Sequence, residues 1–180
     1  MPRPLSAWLA ALLACCCAAV LLLPLQPARA LDTSAGVGLQ ERALFQDTVD
    51  YTLTNQSGKD FSGQQLANAS FAGAVGKGAR FAGADLHGAI LTQGAFPEAD
   101  FSGVDLSDAL MDRTDMSHTN LRGAVLVGVI ASGGNFSGAD VTDADFSDAL
   151  LDRVDQRLLC LTASGSNPRT GADTRASLGC

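Results

Sequence analysis

The reactive side chains of this 180-residue chain are few and far apart. Five are thiols: Cys15, Cys16 and Cys17 in an apolar opening run, and Cys160 and Cys180 near the end. The two histidines, His87 and His118, lie 31 residues apart, and nineteen acids outnumber twelve cations. A thiol pair can form a disulfide or exchange electrons. A histidine beside a carboxylate can move a proton, and paired aspartates can hold calcium. The spacing supports little of this. No Ser-His-Asp set, H-E-x-x-H, phosphate loop or dinucleotide fingerprint is present. Two cysteines without nearby histidines make a poor metal site. The aspartates follow neither an EF-hand nor an RTX pattern. No catalytic residues, cofactor or metal are therefore expected, and the chain reads as a non-enzyme.

The thiols depend on what happens to residues 1–30. Arg3 opens a short positive region, Leu5 to Leu25 is almost wholly apolar, and Ala28-Arg29-Ala30 is an A-x-A cleavage site, as in a secretory signal peptide. An uncleaved membrane anchor and a lipoprotein modified at Cys15 are the alternatives. Pro24 and Pro27 interrupt the anchor, and Leu12-Leu13-Ala14 is a poor lipobox. Cleavage after Ala30 removes three cysteines and leaves Cys160 and Cys180 in an oxidising compartment. A disulfide between them is the expectation. A redox-active pair is the alternative, although no C-x-x-C motif is present.

The element that must position these groups is written in a period of five. Large apolar residues fall at Phe61, Leu66, Phe71, Phe81, Leu86, Leu91, Phe96, Phe101, Leu106, Met111, Met116, Leu121, Leu126, Phe136, Val141, Phe146 and Leu151, interrupted by Gly76 and Ala131. A small residue stands two places before most of them. Five residues advance a helix by about 500°, so no helical face stays apolar. Along a strand, an odd period alternates between faces. The pattern fits a chain that turns a corner every fifth residue and points each middle residue inward, as in a solenoid.

A second spacing gives the number of sides. Ile90, Leu110, Ile130 and Leu150 break the polar rule at the preceding position, each twenty residues from the last, and 104–113 is nearly copied at 144–153. Twenty suits four pentads per coil. The inward ladders are then Phe61, Phe81, Phe101, Leu121 and Val141, beside Leu66, Leu86, Leu106, Leu126 and Phe146. A third runs Phe71, Leu91, Met111, Ala131 and Leu151, and a fourth runs from Gly76 through Phe96, Met116 and Phe136 to Gln156. About five coils at the inter-strand spacing make a rod roughly 24 Å long. Glycines such as Gly63, Gly83, Gly103 and Gly123 suit the corners.

The segments Ala84-Asp85-Leu86, Ala99-Asp100-Phe101, Ala139-Asp140-Val141 and Ala144-Asp145-Phe146 resemble the pentapeptide-repeat consensus A(D/N)LXX, over residues 59–158. That resemblance implies an all-β solenoid, a right-handed quadrilateral β-helix. The tail, Leu159-Cys160 through Ser164 to Gly171 and Thr174 to Cys180, is similar to the C-terminal segment of lumenal members of the family in cyanobacteria and chloroplasts. The implied compartment is the thylakoid lumen or the periplasm, and the short leader favours a bacterial source. The expected organisation is a leader (1–30), a lead-in or cap (31–58), the β-helix (59–158) and a disulfide-bearing C-terminal cap (159–180). A weak helix at Gln40 to Gln46, a half-buried strand at Val49, Tyr51 and Leu53, and a short helix over 157–161 are expected within the caps.

Loss of Arg3 and Arg29 with the leader takes the net charge from −7 to −9. Outward Asp ladders (Asp60, Asp100, Asp140; Asp85, Asp105, Asp145; Asp115, Asp155) disfavour nucleic-acid backbones and anionic surfaces. An acidic nucleic-acid mimic, as in some cytosolic relatives that bind gyrase, is a weak alternative for an exported chain. The aliphatic line Ile90, Leu110, Ile130, Leu150 is the candidate contact stripe for a protein partner, a membrane-complex component or a second copy. Terminal segments folding back over it are the competing reading. Function reads as a non-catalytic scaffold or binding rod, with a regulator switched by the Cys160–Cys180 bond as the alternative.

Overall fold

The computed structural model describes residues 48–180. The leader, its Ala28 and Ala30 cleavage site and the helix expected at Gln40 to Gln46 lie outside the described residues. From Asp50 onward one local unit repeats. In each pentad the inward residue opens a turn closed by a backbone bond, as where Gln64 N–H donates to the Phe61 carbonyl at 3.1 Å. The second residue after the inward one has positive φ at every repeat from Leu53 to Asp148. Glycine meets this demand at Gly63 without strain; Asn68 and Asp108 meet it as the side chains best suited to the left-handed region.

Four turns make a coil, and coils stack in parallel at an offset of twenty. One side pairs Asp60 with Arg80, Asp100, Asn120 and Asp140, and the next pairs Gln65 with Asp85, Asp105, Val125 and Asp145. The third runs from Asp50 through Ser70, Ile90 and Leu110 to Ile130, and the fourth from Asn55 through Val75, Ala95 and Asp115 to Asn135. Among the described residues only β1 (Ile130–Ala131) and β2 (Leu150–Leu151) extend the pairing to two residues. All four corners turn within five residues, so each side is too short for a longer strand.

The axis is filled by the inward ladders. Phe61, Phe81 and Phe101 stack face to face at centroid distances of 4.9 and 4.7 Å. Phe71 and Phe96 meet that stack edge-on at 5.5 to 6.0 Å, the geometry their ring quadrupoles favour. Leu66, Leu86, Leu106, Leu126, Leu121, Val141 and Phe146 are all buried. The interruption at Gly76 has a steric cause, because a Cβ there would collide with the Phe96 ring. Thr114 and Thr119, in small inward positions, donate their hydroxyls to the carbonyls of Leu91 (2.9 Å) and Met116 (2.7 Å).

The repeat begins earlier and ends earlier than residues 59 and 158. Tyr51 is already an inward residue, stacked on Phe71 at 4.9 Å. Val49, Tyr51 and Leu53 do not form an alternating strand, since Leu53 sits at a corner with φ 57°. Polar Gln56 in the next inward slot hides this coil from an apolar period. At the other end β2 is the last rung. Helix α1 (Arg153–Cys160) starts four residues before the expected Arg157. Another turn of the repeat would place the polar Gln156 on the apolar axis. In α1 its Nε2 instead donates to the Leu178 carbonyl. Helix α2 (Thr174–Ser177) follows, capped by Asp173 Oδ1, which accepts from Ala176 N–H at 2.8 Å.

Candidate functional site

The acids stand where the corners need acceptors. Asp60, Asp85, Asp100, Asp105, Asp115, Asp140 and Asp145 each use Oδ1 to accept the backbone N–H two residues on, at 2.9 to 3.1 Å. That N–H precedes the left-handed corner residue, so the carboxylate fixes the turn as an Asx motif does. Asn120 and Asn135 do the same and also donate Nδ2 to Asp100 and Asp115 of the preceding coil, both at 3.0 Å. The Asp ladders are corner braces first and a charged face second. At Asp105 and Asp140 burial raises the carboxyl pKa, but the bonds from Ser107 and Thr142, helped by Arg169 and Arg122, outweigh it and hold each below the usual range.

One member of the outward series is not outward. Asp145 is only 2% exposed, because the tail lies across its side of the rod. Burial opposes its charge, yet the side chains of Ser147 and Thr170 and the Ser147 N–H keep its pKa low. Asn167 pins the same tail. Its Nδ2 donates to the carbonyls of Gly123 (3.2 Å), Ala124 (3.0 Å) and Asp143 (3.0 Å), spanning two successive coils. Its Oδ1 accepts from the N–H groups of Arg169 (2.9 Å) and Thr170 (3.1 Å). Arg169 reaches further down, donating to the Val104 carbonyl at 2.7 Å and facing Asp105 at 3.7 Å. Sequence reading missed Asn167 and Arg169, since a single-copy loop carries no period to betray them.

The cap also closes the open end of the stack. Asp152 Oδ2 accepts from Gly133 N–H at 2.8 Å, and Ser177 Oγ accepts from Phe146 N–H at 3.0 Å. Burial, reinforced by Asp152, raises the Asp155 carboxyl pKa above the usual carboxylate range. Asp155 lies in α1 and so does not continue the outward ladder from Asp115. Cys160 and Cys180 are joined, with an S–S distance of 2.04 Å and Cα atoms 5.7 Å apart, and tie α1 to the end of α2. A cavity of about 460 Å³ opens between β2 and the cap, lined by Phe146, Leu151, Arg153 and Leu178 among others.

The aliphatic line keeps its exposure. Ile90 and Leu110 are each 37% exposed and Leu150 59%, with Ile130 half-buried between them. They are consecutive bridge partners on one side of the rod. The C-terminal tail crosses the neighbouring side, at Val104, Gly123, Ala124 and Asp143, and leaves this one open among the described residues. A second apolar surface went unnoticed in the sequence. Val154, Leu158 and Leu161 are exposed together at the i, i+4, i+7 spacing of one face of α1. His87 and His118 sit on different sides of the rod, as corner residues. Among the described residues no group of three His, Cys, Asp or Glu could hold a metal.

A family profile described as pentapeptide repeats matches eight copies across residues 60–93, 99–138 and 119–155. Among solved structures, the chain is similar to a pentapeptide repeat protein from the Arabidopsis thaliana thylakoid lumen. The two are 37% identical over 72% of this chain and 90% of that one, with a TM-score of 0.71. It is also similar to HetL of the cyanobacterium Nostoc, a pentapeptide repeat protein involved in heterocyst differentiation regulation. There the identity is 23% over 62% of this chain and 52% of that one, with a TM-score of 0.44. No curated protein matches the chain.

Proposed function

We infer the function from this premise: the chain belongs to the pentapeptide-repeat family, and its repeats form a right-handed quadrilateral β-helix. On it we propose a non-catalytic, exported binding rod of the thylakoid lumen or periplasm that contacts a protein through Ile90, Leu110, Ile130 and Leu150. The observation that carries this reading is the uncovered state of that line among the described residues. The tail lies flat on the adjacent side, yet four branched aliphatic side chains in register remain in contact with water. Such a stripe gains by being covered, at roughly 25 cal/mol per Å² of apolar area. The filled axis leaves no room there for a substrate, which supports the absence of catalysis. The lumenal relative and the A-x-A leader support export, and components of membrane complexes are the partners such a compartment offers.

A photo-crosslinker placed at Leu110 in intact cells tests this. A discrete adduct to another protein is expected, and it should vanish in the Leu110→Asp chain while the thermal midpoint is unchanged. Absence of any adduct at Leu110, Ile130 and Leu150 would remove the reading.

One observation favours a second reading, a redox-responsive regulator. The Cys160–Cys180 bond holds α1 to the segment after α2, beside the Gln156–Leu178 bond within the cap and the Ser177 bond to the last coil at Phe146. Reduction under native conditions separates the two: partner binding survives it for a plain rod and is lost for a switch.

A further inference from the structure

The net acidity of the chain conceals an uneven distribution. Between residues 48 and 151, thirteen acids face five cations; from Asp152 onward, four arginines face Asp152, Asp155 and Asp173, and one of the four, Arg169, reaches back along the rod to Asp105. The same end carries the largest exposed aliphatic groups of the cap. Val154 is 59% exposed and Leu158 49% on the outer face of α1, and Leu161, its C-cap residue, is 80% exposed. Arg153 and Arg157 flank that face on the same helix, and Arg175 lies at its C-terminal end, donating to the Cys160 carbonyl at 2.6 Å. Among the described residues none of these three arginines has an acid within ion-pair distance, whereas Lys77, Arg122 and Arg169 do. Of the two acids of this corner, Asp152 is engaged by the Gly133 N–H and Asp155 is partly buried.

We propose that the outer face of α1 docks the protein peripherally on an anionic lipid surface. Three aliphatic side chains without an aromatic anchor suit a soft acyl boundary better than a protein pocket, where aromatic anchors dominate. The unpaired arginines at their border supply attraction to lipid phosphates. The acidic rod is repelled by the same surface, which confines the contact to the α1 face. Among the described residues no helix is long and apolar enough to cross a bilayer, and the contact is superficial. A uniform charge of −9 argues against membrane adhesion; the segregation of that charge reverses the conclusion for one end.

The test is co-sedimentation of the protein with vesicles of phosphatidylglycerol and phosphatidylcholine, and of phosphatidylcholine alone. Binding to the mixed vesicles only is expected, weakening as salt rises. Leu158→Asp combined with Leu161→Asp should lower the bound fraction more than tenfold. Arg153→Gln and Arg157→Gln should each weaken binding about fivefold, from the usual attraction of one cation near such a surface. Leu110→Asp should leave it unchanged, which separates this face from the stripe. Equal binding to neutral vesicles, no binding at low salt, or wild-type binding by the double variant would each overturn the proposal. So would loss of concentration-dependent self-association in the double variant without vesicles, since that marks the face as a contact between copies.

Discussion

The rod and its C-terminal cap solve the same problem by opposite means. In the rod every contact has copies. Phe61, Phe81 and Phe101 share one stack, aspartates from Asp50 to Asp145 brace successive corners, and the backbone pairing recurs twenty residues later. In the cap every contact is made once: one Asn167 spanning two coils, one Arg169 reaching Val104, one disulfide. Redundancy makes the rod tolerant of weak members such as Gln56 and Gly76. Singularity makes the cap specific and easy to disable at one point.

The contrast is broken most severely by damaging the repeated part at its centre. Phe101→Ala removes a fully buried ring from the stack and should cost about 3–5 kcal/mol in urea titration. Ser102→Ala, one residue outward, should stay within about 0.5 kcal/mol. If both changes cost the same, the rod has no apolar axis. Removal of the disulfide, by Cys160→Ser with Cys180→Ser, should cost about 3 kcal/mol on the chain-entropy estimate for a loop of this length. Hydrogen exchange should rise in α1 and α2 and stay unchanged near Phe81.

Asn167→Ala comes next, at about 2–3 kcal/mol, because three carbonyls lose a donor in a place water reaches poorly. The loosened amides should be those of residues 164–172, with the first coils again silent. A spread of fast exchange into the rod would show that the two regions unfold as one.

The smallest effect is a difference in sign with pH. The native pKa of Asp155 is raised, so the folded chain holds its proton more tightly than the unfolded chain does. Its contribution to stability is present below the ordinary value of about 3.9 and declines as pH rises through the native value. Asp145, whose native pKa is lowered, does the reverse: its contribution is present above about 3.9 and is lost as pH falls through the native value. Stability curves of Asp155→Asn and Asp145→Asn against pH should therefore diverge from the parent in opposite directions. Parallel curves would mean that neither carboxylate is placed as described.

The rod was legible because its rules are repeated. A period of five, a second spacing of twenty and a filler at Phe96 for the gap at Gly76 are all written in residue types. The first coil was not legible, since Gln56 occupies its next inward slot and one aromatic, Tyr51, does not make a series. The role of the aspartates was hidden for another reason. Composition announces a carboxylate's charge, while its bond to the N–H two residues on depends on a backbone turn that composition does not display. The tail contacts of Asn167 and Arg169 reach 43 and 65 residues back, and nothing local in the sequence marks so distant an acceptor. The outer face of α1 is partly legible: Val154, Leu158 and Leu161 have helical spacing, but the period of five runs on to Leu151 and masks where the helix begins.

The offset of twenty between partners also dictates an order of construction. That separation is short for parallel pairing, which usually needs a long crossover between partners. A chain emerging N-terminus first can lay each coil on the one before it, needing nothing that has yet to arrive. The tail strap and the Cys160–Cys180 bond draw on the last residues delivered, so the lid is fastened only when the stack beneath it is complete.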